Sequence, residues 1–174
     1  QLDRAALTGE EVELTDDALR LLAADYTREP GVRQLERFVA KVLRTLKEGF
    51  DFVVVDTAPA FDDVTLTALD ETDECVVVAT LDVPTLKNVK VGLETLEMLD
   101  IARGHRHLLL NRADDAVGIS TDKVEAILGM DVAAKVATAM EIAAATNAGT
   151  PIVSGRPQHP SSTAIMGLAS RLAG

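Results

Sequence analysis

A chain of 174 residues that is 47 % hydrophobic but only 3 % aromatic can bury the core of one domain, or of a domain with a small appendage, and must build it from aliphatic side chains. Its formal net charge of −11 disfavours attraction to nucleic-acid backbones and anionic lipid, so neither nucleic acid nor a membrane is expected as a partner. The single cysteine excludes a disulfide framework and fits a reducing, cytoplasmic setting; no apolar run approaches the roughly 20 residues that cross a bilayer, and the chain opens at Gln1 with no basic-then-apolar leader.

In chain order, Thr15 is placed to cap a helix over DDALRLLAADY, whose acids fall in its first turn and whose Leu19, Leu22 and Ala23 share one face. The run TREPG breaks it. VRQLERFVAKVLRTLKEG predicts a second helix with Val32, Leu35, Val39, Val42, Leu43 and Leu46 as its apolar stripe and Gly49 as its stop. Beyond Gly49 short apolar runs alternate with amphipathic segments: FVVVD, DDVTLTALDET, CVVVATL, LKNVKVGLETLEMLD, HLLLNR, STDKVEAILG and DVAAKVA, closed by a helical SSTAIMGLASRLAG. Apolar strands separated by helices predict a parallel α/β sheet, with strands near 51–56, 75–81, 107–111 and 132–137. The expected fold class is therefore α/β: a helical hairpin followed by a mostly parallel, about four-stranded sheet with flanking helices. Cys75 lies inside CVVVATL and reads as a core thiol. Strands in sequence order with right-handed crossovers would put the connecting helices on one face, leaving the other for the hairpin stripe to cover.

The stretches FDFVVVDTAPAFDD, VVVATLDVPTLKNVKVGLETLEML, LLLNRAD, GIS and NAGTPIV, in that order, resemble the C-terminal part of the ParA/MinD family of deviant-Walker ATPases, most closely its pilus-assembly branch associated with Flp/Tad secretion systems. The resemblance covers about residues 45–174. It implies a truncated P-loop NTPase fold in which Asp56 is the Walker B acid that arranges magnesium and the attacking water. Asn111, with Arg112, would read the adenine, and Pro151 beside Thr150 would flank the base. Residues 1–44 resemble instead the small helical subdomain of Lon protease ATPase modules, through LTDDALRLLAADYTREPGVRQLERFVAKVLR. That second resemblance implies a phosphate-sensing position for Arg33. The chain thus reads as a two-part chimera, of natural or engineered origin, joined near Arg44–Leu46.

A ParA/MinD-like site needs a glycine-rich loop with lysines ahead of Asp56, because loop amides and a lysine cradle the phosphates. The sequence before Phe50 holds no G-x-x-x-x-G-K-[ST]; TGEE and REPGVR carry one glycine each and no Lys-Ser/Thr after it. The expectation is a non-catalytic protein with no cofactor and no metal. The alternatives are a pilus-assembly-like scaffold that self-associates, and a residual ATPase holding ATP and magnesium at Asp56, Asn111, Arg112 and Pro151. A homodimer independent of nucleotide is the expected partner state. Asp62 and Asp63 read more simply as acids opening the next helix, and Asn111 as a strand-end residue satisfying its own loop. His105 and His107 have no third ligand nearby in sequence, and His159 sits in a proline-rich loop, so metal binding is not expected. The resemblance would also imply a membrane-touching last helix, but with Arg171 as its only basic residue and no bulky aromatics this helix is read as sheet cover.

Overall fold

The computed structural model of the chain describes residues 32–114 and 119–174. The helix predicted after Thr15 lies outside them, as do the side chain of Arg33 and Gly118 of GIS. The chain divides into two compact units, residues 1–71 and 72–174.

In the first unit, the 3.6-residue period of VRQLERFVAKVLRTLKEG becomes helix α1 (Val32–Gly49). Helix α2 (Asp63–Asp70) follows, with Asp62 as its N-cap: the carboxylate accepts the Thr65 amide at 2.8 Å, one of the donors a helix start leaves unsatisfied. This hydrogen bond also holds the Asp62 carboxyl below its ordinary range. Asp62 is thus the cap itself, and Asp63 is the first-turn acid. α1 packs along α2, on which Thr65 and Ala68 are buried. Past α2, the Arg44 guanidinium grips the Glu71 carboxylate with two hydrogen bonds and Lys47 reaches the Glu71 carbonyl at 3.0 Å.

The strand predicted at 51–56 is not formed, so the sheet has three strands among the described residues in place of about four. Residues 52–58 take no regular structure, and Phe52 and Val54 are 67 % and 95 % exposed. Apolar β-branched composition favours a strand but cannot supply the partner backbone that completes one, and the described elements of the first unit are helices.

The second unit holds the sheet. Strands β1 (Cys75–Ala79), β2 (Arg106–Asn111) and β3 (Val132–Val136) run parallel in sequence order. Their crossovers are α3 (Val83–Met98) and α4 (Thr121–Leu128), the latter stopped at Gly129, whose φ of 71° is the left-handed conformation glycine tolerates. Leu108 and Leu110 from β2, Ala79 from β1, Leu86 from α3 and Val124 from α4 form one buried cluster. Their common burial places both crossovers on one face, as right-handed connections require. α5 (Met140–Asn147), α6 (Ile152–Gly155) and α7 (Pro160–Leu172) follow, and α7 packs on β3, where Arg171 donates to the Ala133 carbonyl. On β1, Val76 and Val78 point away from the cluster and are exposed, while Val77 packs against it. Cys75 is half-buried and its thiol is pushed up by burial, the behaviour of a core sulfur. No helix among the described residues is long and apolar enough to cross a membrane.

Candidate functional site

In an open parallel sheet the strands' carboxyl ends are where loops converge to bind ligands. Here that edge is occupied by loops that hold each other. After β1, the Asp82 carboxylate accepts the Thr80 hydroxyl and the Thr85 amide at 2.9 Å, capping α3. The Thr80 hydroxyl and then the Thr85 amide hold that carboxyl below its ordinary range. After β2, the Asn111 side-chain oxygen accepts the backbone N–H of Arg112 at 3.0 Å, and Arg112 takes a positive φ of 52°. The Ala113 amide donates to the Val136 carbonyl at 3.0 Å, and the Asp114 carboxylate accepts the Thr138 amide at 3.2 Å. The β2 and β3 loops are thereby stitched together by the groups that would otherwise face a ligand.

The residues singled out as nucleotide-binding are divided between the two units. Asp56 belongs to the first unit, exposed, in the segment without regular structure. Asn111, Arg112 and Pro151 belong to the second. Asn111 is half-buried with its amide oxygen engaged locally; Arg112 is exposed; Pro151 is exposed at the start of α6, where its carbonyl accepts the Ser154 and Gly155 amides. Residues 1–49 hold no G-x-x-x-x-G-K-[ST] of the kind that cradles phosphates.

The opposite, amino-terminal edge of the sheet carries a cluster that sequence reading missed. Parallel register sets Val76 beside His107, so Glu74, just before β1, meets the start of β2. One Glu74 oxygen lies 2.8 Å from His105 Nδ1 and the other 2.7 Å from His107 Nε2. An ionised carboxylate only accepts, so each imidazole donates the N–H that faces it, Nδ1–H from His105 and Nε2–H from His107. The His107 and then the His105 hydrogen bond hold the Glu74 carboxyl below its ordinary range. No group of three His, Cys, Asp or Glu among the described residues is arranged to hold a metal ion. His159 caps α7 through its ring Nδ1, which accepts the Ser161 amide at 3.2 Å. The signal for Glu74 was adjacency of parallel strands, since residues that open neighbouring strands share an edge.

Beside this cluster Arg106 turns its fork into the end of α3. Nε and Nη2 donate to the Ile101 carbonyl at 2.9 and 2.6 Å, Nη2 to the Leu96 carbonyl at 3.0 Å, and Nη1 to Glu97 at 2.7 Å. A recess of about 400 Å³ opens here, lined by Lys90, Glu94, Glu97, Arg106, Gly129 and Met130. The arrangement is a structural clamp on the end of α3 and the turn after it: it supplies donors to the Ile101 carbonyl and adds one to the Leu96 carbonyl, which also accepts the Ile101 amide.

Comparison with known proteins finds two likenesses. Residues 3–48 match the Lon protease AAA+ ATPase lid domain. The Lon protease of Mycolicibacterium smegmatis is 61 % identical over 44 residues, 25 % of this chain and 6 % of that protein. The fold is that of ParA and MinD ATPases. A ParA family ATPase from Chlorobium tepidum superposes with a TM-score of 0.70 at 18 % identity, covering 91 % of this chain and 60 % of that one. The septum site-determining protein MinD from Pyrococcus horikoshii, solved with Mg-ADP, gives 0.73 at 16 % identity over 98 % of this chain and 77 % of its own. The chain therefore joins a stretch similar to Lon lids to an α/β fold shared with ParA and MinD, and spans only a small fraction of the Lon proteases it matches.

Proposed function

We propose that this chain is a non-catalytic α/β protein derived from P-loop NTPases, cytoplasmic, with a structural role and no nucleotide cofactor. The observation that carries this reading is the identity of what precedes Asp56. Ahead of Asp56, residues 3–48 are similar to a Lon lid. A lid supplies neither loop amides nor a P-loop lysine for transferring phosphate. The local engagement of Asn111, Asp82 and Asp114 supports the same reading. The test is magnesium-dependent ATP turnover by the wild type and by Asp56→Ala, with ATP binding followed by calorimetry. Turnover at the level of buffer in both proteins is expected. Activity in the wild type that disappears with Asp56→Ala would overturn the reading in favour of a residual ATPase with its base site at Asn111, Arg112 and Pro151.

A second reading, a scaffold of the pilus-assembly kind that self-associates without nucleotide, is favoured by one observation. Phe50, Phe52, Val54, Val76 and Val78 are among the large apolar side chains that stand exposed. Sedimentation against concentration, with and without Mg-ATP, tests it: association indifferent to nucleotide supports it, and a monomer at all concentrations removes it.

A further inference from the structure

The chain carries both halves of a strand pair that its described structure leaves unmade. β1 is an edge strand, bonded to β2 on one side and to no strand on the other among the described residues. Its sequence, CVVVA, has none of the devices that blunt a sheet edge: no charge, no proline and no bulge along its register with β2. β3, at the other edge, does have them, with Lys135 within the strand, a register irregularity against β2 and the Arg171 guanidinium on the Ala133 carbonyl. The second half is Phe52–Asp56, a β-prone run with no regular structure. In both, large apolar side chains stand exposed at every second residue, with Val55 exposed as well in the first. Phe50, Phe52 and Val54 are 63 %, 67 % and 95 % exposed at every second residue; Val76 and Val78 are 39 % and 53 % exposed at every second residue of β1. Two stripes of period two can lie side by side on one face of a common sheet.

We propose that the outer edge of β1 takes the Phe52–Asp56 segment of a second copy of this chain, reciprocally, forming a two-fold dimer by strand exchange. This rests on the self-associating reading above and names its surfaces. Reciprocity follows because each copy offers one edge and one segment, so two pairs close and none is left over. With Phe50 and Val55 included, the exposed parts of these side chains come to about 1,200 Å² over two copies, which reaches the lower limit of stable interfaces. Main-chain hydrogen bonds along both ladders add to it. Both copies carry a net charge of −11, so their repulsion opposes the dimer and added salt tightens it, the opposite of an interface built on ion pairs.

The experiment is sedimentation equilibrium of the full chain over a concentration series at low and high salt, for the wild type, Val54→Lys and Val78→Lys. Both positions are exposed in the single chain, so far-ultraviolet circular dichroism and the melting midpoint of diluted samples should match the wild type and show that the variants fold. A wild-type dimer strengthened by salt is expected, weakened by on the order of 100-fold in either variant. Three results overturn the proposal. A wild type that stays monomeric removes self-association itself. A dimer lost in Val78→Lys but kept in Val54→Lys shows that the β1 edge pairs with something other than the 52–56 segment, leaving self-association standing. A monomer whose 52–56 amides are protected from hydrogen exchange shows that the chain's own segment fills the edge.

Discussion

Arg106→Met asks how much one guanidinium contributes to holding the end of α3. The substitution keeps an unbranched stem of similar reach and removes the fork. The Arg106 side chain is 12 % exposed, and its bonds are unequal in weight. The Ile101 carbonyl loses both of its side-chain donors. The Leu96 carbonyl loses one donor but keeps the Ile101 amide at 3.0 Å, so it is not orphaned. Glu97 is 52 % exposed and returns to water at little cost. The loss is therefore that of one desolvated acceptor and one shared one, each bonded to a charged donor, about 2–4 kcal/mol in all. For a chain of this size that corresponds to a melting midpoint lower by about 5–12 °C. Urea unfolding followed at 222 nm measures it, with a constant slope confirming that the change is in stability. Arg103→Met is the control. Its guanidinium is 71 % exposed and pairs with Glu97 and Asp100 at 3.5 and 3.6 Å, so its cost should stay within about 0.5 kcal/mol. Equal, small losses in both variants would refute the clamp.

Leu108 is fully buried at the centre of the cluster, and Leu108→Ala should cost about 2–5 kcal/mol in the same urea assay. Ser162, also fully buried, donates its hydroxyl to the Arg156 and Ile152 carbonyls at 2.8 and 3.2 Å; Ser162→Ala should cost about 1 kcal/mol, and a neutral result would show that these carbonyls are satisfied without it. Glu74→Gln tests the carboxylate between the two imidazoles. Its folded pKa is depressed, so its contribution is present above the ordinary value of 4.5 and lost as pH falls through the folded value. The stability gap between wild type and variant should be constant near neutral pH and close below about pH 4.5, as read from urea midpoints across a pH series. A gap that widens on acidification would contradict the hydrogen bonds drawn here.

Much of the architecture was written into neighbouring residues. The apolar period of residues 32–49 specifies α1, and the CVVVA, HLLLN and VAAKV runs mark β1, β2 and β3 to within a residue or two. Gly129 marks the stop of α4 because only a left-handed residue closes that turn well. Even the local engagement of Asn111 followed from what a strand-end amide can reach. The sequence also showed that residues 1–49 hold no G-x-x-x-x-G-K-[ST] motif. What it did not decide was pairing. FDFVVVD has the composition of a strand and is none, because a strand is finished by another backbone and composition cannot name the partner. The same holds for Glu74, brought to His105 and His107 across 31 and 33 residues, and for Arg106, whose acceptors exist only once α3 ends beside β2. Periods and caps act over four residues and can be read along the chain; edges, clamps and carboxylate bridges depend on which elements become neighbours, and only the folded structure settles that.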